Sequence, residues 1–173
     1  MQSDLDRMSH GGVDVTYRTT GAGPREVRSA ADAAQAAPHV VALVCAAEAD
    51  GFDAVIVDCT DDPGVAEARL VVSIPIVGPG AALRDAITRA PLPVVELLGE
   101  DLRSRSFGEL VSLVGDAATI AIVGTGHSEL AELLAGLPHQ PTVLEPLSLA
   151  LDECLVTLGR HSGHGRQPGD PSA

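Results

Sequence analysis

Apolar residues along this chain fall into short blocks separated by Gly, Pro and acidic residues. Positions 53–57, 94–98 and 119–123 are rich in Val, Ile and Leu, a composition that suits parallel strands covered on both faces. Positions 142–144 read as a shorter strand, and 13–17 alternate apolar with polar residues, which predicts another. Helical spacing lies between these blocks, at 81–89, 107–114, 128–135 and 147–158. Upstream, 29–37 can be helical, and Pro38 can open a second helix with Val41, Val44 and Cys45 on its buried face. Asp50-Gly51 ends that helix. Strands alternating with helices predict an α/β fold with parallel sheets flanked by helices.

The stretch 51–78, GFDAVIVDCTDDPGVAEARLVVSIPIVG, organises the rest. A buried strand stops at Asp58-Cys59-Thr60, Asp61 and Asp62 offer N-cap oxygens, and Pro63 fits a first helical turn. Cys59 therefore stands where a strand ends and a helix begins. Unpaired N–H groups and the positive end of a helix dipole favour a thiolate in such a place. Two readings follow: a cysteine that reacts or moves a proton, or a small residue closing a strand end.

The same unit occurs twice. A shift of 66 residues lays the segment from Ile120 over the central stretch, so that Ile56 meets Ile122, Val57 meets Val123, Pro75 meets Pro141 and Leu83 meets Leu149. Cys59 then falls on Thr125. Two related β-turn-α-β units predict two half-domains with a site between their turns. The divisions are 13–90 for the first lobe and 91–159 for the second, with disordered ends at 1–12 and 160–173.

The central stretch resembles the first cysteine motif of the aspartate/glutamate/hydantoin racemase superfamily, nearest its hydantoin and allantoin racemase branch. The matching features are Asp50 to Ala54, Cys59, Asp62-Pro63-Gly64, Ala68-Arg69 and the strand end Pro75 to Gly78. The resemblance runs from about Gly23 to Arg89. It implies two pseudo-symmetric lobes and proton transfer at a carbon next to a carbonyl, by two facing cysteines without cofactor or metal. It also implies a homodimer. The chain departs from the pattern. Gly124-Thr125-Gly126-His127 resembles the glycine-cysteine-threonine-histidine turn of glutamate racemases, with Thr125, or Gly124 after a one-residue slip, in place of the second cysteine. The family's first strand and polar substrate loop have no clear counterpart.

His127 is the substitute partner for Cys59, since an imidazole gives or accepts a proton near neutrality; the alternative is a helix-start histidine bonded to a backbone carbonyl. Thr60, Gly78, Gly124, Thr125 and Gly126 are the expected substrate-binding positions, where hydroxyls and N–H groups can hold a carboxylate or an enolate. The N-terminus of the 81–89 helix is a further possible anion site. Arg103, Ser104 and Arg105 could grip a carboxylate or simply lie on a solvated surface. Cys45 and Cys154 read as core residues. His161 and His164 resemble a metal pair only loosely.

A net charge of −13 argues against nucleic acid and anionic membrane as partners. There is no lysine, which removes Schiff-base and P-loop lysine chemistry. No apolar run reads as long enough to span a bilayer and no signal peptide is visible, so a cytoplasmic setting is expected. Three cysteines form no disulfide or zinc pattern. Three functions remain: a cofactor-independent racemase or isomerase acting through Cys59; a single-cysteine lyase, decarboxylase or cyclase, since arylmalonate decarboxylases also resemble this family and keep one cysteine; or a non-catalytic binding or assembly protein on the same fold.

Overall fold

The computed structural model describes residues 13–159; the two ends expected to be disordered, and His161 and His164 with them, lie outside the described residues. Its elements in order are α1 (Ala30–Ala49), β1 (Val55–Ile56), α2 (Val65–Ala68), β2 (Ile76–Val77), α3 (Pro79–Arg89), β3 (Val94–Leu98), α4 (Gly99–Ser104), α5 (Phe107–Val114), β4 (Thr119–Val123), α6 (Ser128–Ala135), β5 (Thr142–Leu144) and α7 (Pro146–Thr157). Strands β1 and β2 form one parallel sheet, and β3-β4-β5 a second.

Both sheets are covered on two faces. In β4, Ile120 and Ile122 point toward a core with Leu97, Leu110, Val114 and Leu134, while Ala121 points the other way, against Leu83 and Leu144. In β1, Val55 and its neighbour Val57 pack with Val44 of α1 and Val65 of α2, and Ile56 packs toward Val77, Ala82 and Ala150. This two-sided burial is why both strands read as unbroken apolar runs.

The layer between the sheets is shared. Helix α3 follows β2 yet sets Leu83 against Ala121 of β4. Helix α7 follows β5 yet packs on α3, β1 and β2. A boundary at 90/91 thus separates the sheets but runs through a common core. The 66-residue repeat holds for the elements: β1 corresponds to β4, β2 to β5, and α3 to α7. It does not hold gap-free. Val55 pairs with Ile76, but Thr119 pairs with Thr142, so the second ladder is offset by two further residues. A two-residue slip keeps every side chain on its face, because the strand period is two.

Four local expectations change. Positions 13–17 join no ladder; Arg18 instead pairs with Asp50 at 2.6 Å and lies over the Phe52 ring. The two helices expected around Pro38 are one helix, capped where Ser29 accepts a hydrogen bond from the Asp32 N–H. That 20-residue helix is, by length and composition, apolar enough to cross a membrane, contrary to the sequence expectation. In the fold its Val40, Val41 and Val44 pack against Val57, Val65 and Ile76. Cys45 is exposed on its outer face, not in the core, whereas Cys154 is buried as expected.

Candidate functional site

Cys59 follows β1 closely: Val57 is still tied to the sheet, donating to the Val77 carbonyl, and the Cys59 N–H turns back to the Val57 carbonyl at 2.7 Å. The chain then makes a tight turn in which the Asp62 N–H donates to the Cys59 carbonyl. Asp62 takes a positive φ of 50°, which a short polar residue tolerates better than most. The next helix does not begin here. α2 starts at Val65, after Gly64 in the left-handed region, where a Cβ would lie 2.7 Å from the Ala37 carbonyl oxygen. Asp61 and Asp62 therefore do not cap the following helix, as the sequence suggests.

Asp62 caps a different one. Its carboxylate accepts from the N–H groups of Gly80 at 2.8 Å and Ala81 at 2.7 Å, and pairs with Arg84 at 3.0 Å. The anion site expected at the start of that helix is thus filled by the protein's own carboxylate. Gly78, expected to meet substrate, is buried against the same group: a Cβ there would stand 2.5 Å from the Asp62 Cγ. Other motif residues brace the turn as well. Arg69 donates through Nε and Nη2 to the Ile76 carbonyl at 3.0 and 2.7 Å, and Ala68 is fully buried.

This arrangement reverses the expected chemistry of Cys59. Burial pushes its thiol above the ordinary range. A hydrogen bond from the Asp61 backbone works against that rise, and the charges of Asp61, Asp62 and Asp58 add to it. The thiol form is favoured, not the thiolate. Tyr17 lies near Asp58, and burial together with that charge raises its phenol.

The second turn follows β4. Gly124, Thr125 and His127 are half-buried and Gly126 is exposed. Gly124 lies close under the His127 ring: a Cβ would meet Cδ2 and Nε2 at 3.4 Å. His127 occupies the N-cap of α6 without capping it through its side chain. Burial lowers its imidazole pKa, the Glu145 carboxylate opposes this, and the Arg103 guanidinium reinforces it. Arg103 thus belongs to the surroundings of His127. Arg105 is committed to Asp101 at 2.8 Å.

All the candidate positions stand at carboxyl ends of parallel strands: Cys59 and Thr60 after β1, Gly78 after β2, and Gly124–His127 after β4. The charges felt by Cys59 come from its own turn, and those felt by His127 come from Glu145 and Arg103. Among the described residues no hydrogen bond joins the two turns. Sequence reasoning named Asp62 and Arg103 with other partners than the ones they have, Asp62 reaching 18 residues ahead to Gly80 and Arg103 acting on His127, and it missed Glu145. Only the acidic residue in the Asp-Pro-Gly triplet carried a visible signal.

Comparison with known proteins bears on the same turns. A family model described as Asp/Glu/hydantoin racemase matches residues 2–109, which includes Cys59 and ends before Gly124. A hydantoin racemase from Rhizobium meliloti is 38% identical over 55 residues, spanning 32% of this chain and 23% of that relative's length. Among solved structures, the allantoin racemase from Klebsiella pneumoniae superposes with a TM-score of 0.74 at 20% identity, covering 94% of this chain and 84% of that one. The allantoin racemase from Pseudomonas fluorescens gives 0.70 at 16% identity, covering 99% and 92%. These two likenesses concern the fold.

Proposed function

Because this chain belongs to the Asp/Glu/hydantoin racemase family, we propose that it moves a proton at a carbon next to a carbonyl of a small cyclic amide or acid, with Cys59 and His127 as the catalytic residues. The observation that carries this reading is the placement of both groups on equivalent strand-end turns of the two half-repeats. The names of the relatives make hydantoins and allantoin the substrates to try first.

The two protonation states assign the roles. A thiol held above its usual range is protonated at neutral pH and can deliver a proton. An imidazole held below its usual range is neutral and can accept one. In this reading His127 takes the proton from the carbon and becomes imidazolium, and the electron pair moves onto the carbonyl oxygen as an enolate. Cys59 then returns a proton to the opposite face and becomes a thiolate. Water takes the proton from the imidazolium and returns one to the thiolate, which restores both groups, and the opposite enantiomer runs the same steps backward. The Gly126 and His127 N–H groups and the Thr60 and Thr125 hydroxyls serve to steady the enolate oxygen.

The test uses one enantiomer of a 5-substituted hydantoin, or of allantoin, in deuterated water. Loss of optical rotation with deuterium at the stereogenic carbon is the expected result. Cys59→Ser and His127→Gln each lower the rate by at least about a hundredfold, the usual contribution of a positioned acid or base. A second reading, a single-cysteine lyase or decarboxylase, is favoured by Thr125 standing where the second cysteine would be. Release of carbon dioxide or of a fragment, without deuterated starting material, selects it. Loss of optical rotation that survives in Cys59→Ser refutes the role given to the thiol, whereas deuterium exchange with retained configuration is still expected there, through His127.

A further inference from the structure

We propose that Asp62 is the positioning residue of the Cys59 turn: its carboxylate clamps the turn onto the first turn of α3 and keeps that helix end from the sulfur. Three independent observations support the clamp. The carboxylate has three partners on another element, the Gly80 and Ala81 N–H groups and Arg84, all within 3.0 Å. Its own backbone N–H donates to the Cys59 carbonyl at 3.0 Å, so side chain and main chain tie the same turn at both ends. Finally, the contact leaves no space. A Cβ on Gly78 or Gly80 would fall within 3.0 Å of the Asp62 carboxyl group, and one on Gly80 would also press on the Thr60 carbonyl.

The consequence concerns the sulfur. A helix start ordinarily lends positive potential to a nearby thiol. Here the N–H groups at the α3 start point into a carboxylate, which cancels that potential and leaves a fixed negative charge three residues from the cysteine. The groups facing Cys59 are then Asp58, Asp61 and Asp62, all of one sign. Asp62 is about one-eighth exposed at its side chain, so its interaction with the α3 amides is only weakly screened. Position and charge act together: the clamp sets where the thiol stands, burial there is the larger cause that keeps it an acid, and the carboxylates add to it. This deepens the role given to Cys59 above, and its test needs no substrate, so failure of one reading leaves the other standing.

The test follows alkylation of Cys59 across pH in a Cys45→Ser background, with Asp62→Asn compared against Asp61→Asn. Two quantities are read. The midpoint reports the charge around the sulfur, and the limiting rate at high pH reports its position and access. Loss of one charge at either aspartate lowers the midpoint, by about half a pH unit. Only Asp62→Asn is expected also to raise the limiting rate, about tenfold, and to speed hydrogen exchange at Gly80 and Ala81 by a similar factor, while α7 amides keep their protection. If Asp62→Asn leaves the limiting rate and those two amides unchanged, the clamp is refuted. Should that variant not fold, the unaltered chain still decides. In it the Gly80 and Ala81 amides exchange with solvent at least about tenfold more slowly than unstructured amides; exchange there at the unstructured rate refutes the proposal equally.

Discussion

Replacing Gly80 by Ala separates two physical arguments that predict opposite signs. Gly80 is the second residue of α3, and its φ is not in the left-handed region. Helix propensity alone therefore favours Ala, by up to about 1 kcal/mol. The tertiary structure opposes this. A Cβ at Gly80 would overlap the Thr60 carbonyl oxygen and lie 2.8 Å from both the Thr60 carbonyl carbon and Asp62 Oδ2. Two of those atoms are backbone, so no flexible side chain can swing away. Overpacking of this kind costs about 1–3 kcal/mol. Displacing the turn also weakens the bond from the Gly80 N–H to the Asp62 carboxylate, and hydrogen bonds to charged groups contribute about 1.5–3 kcal/mol. The losses exceed the gain by about 2 kcal/mol, roughly a thirtyfold fall in the folding equilibrium constant. For a chain of this size that lowers Tm by about 4–8 °C. Urea unfolding followed by circular dichroism gives the difference directly. Gly108→Ala is the control: that glycine is exposed in α5, and a Cβ there meets nothing within 4 Å. It is expected to hold or raise stability by a few tenths of a kcal/mol. A Gly80→Ala protein as stable as the parent would refute the packing argument, because propensity would then have decided the sign.

Other outcomes test other parts of the molecule. Leu97→Ala, at a fully buried position of β3, is expected to cost about 2–5 kcal/mol in urea unfolding, whereas Leu92→Ala, 82% exposed, stays within about 0.5 kcal/mol. His127 has a native pKa below its unfolded one, so between the two the unfolded chain binds the extra proton. Stability therefore rises with pH through that window and is lost on acidification toward the native value; His127→Gln flattens this step in a pH series of unfolding curves. Ser29→Ala removes the cap of α1 and lowers stability by about 1 kcal/mol, a loss that Ser29→Asp largely restores. In the folded protein Cys45 reacts with a bulky maleimide fastest and Cys154 slowest, by mass spectrometry, since one is exposed and the other packed with Val77 and Ala150.

Much of this protein is written in local pattern. The runs at 94–98 and 119–123 are strands because Val, Ile and Leu at successive positions can be buried only between two layers, and the helices at 107–114 and 128–135 follow from spacing. The internal repeat locates both turns, and with them Cys59 and His127, from residue order alone. Pairing is less legible, because a ladder's register depends on what the opposite strand offers; the second sheet slips by two residues at no cost in facing. Pro38 shows the limit of a local rule. A breaker by itself, it sits inside α1, where the capped start and the packing of Val40, Val41 and Val44 hold the helix together through it. Two matters were decided only in three dimensions. Helices α3 and α7 each reach the sheet of the other half as well as their own, Leu83 against Ala121 and Ala150 against Val77, because both sheets offer them an apolar face. The Cys59 turn buries the sulfur beside Asp61, Asp62 and Asp58 and places the Asp62 carboxylate on the start of α3, so a position that by sequence should favour a thiolate instead keeps a thiol. A chain position states which helix is nearest along the backbone; the electrostatics of a sulfur depend on which charges are nearest in space.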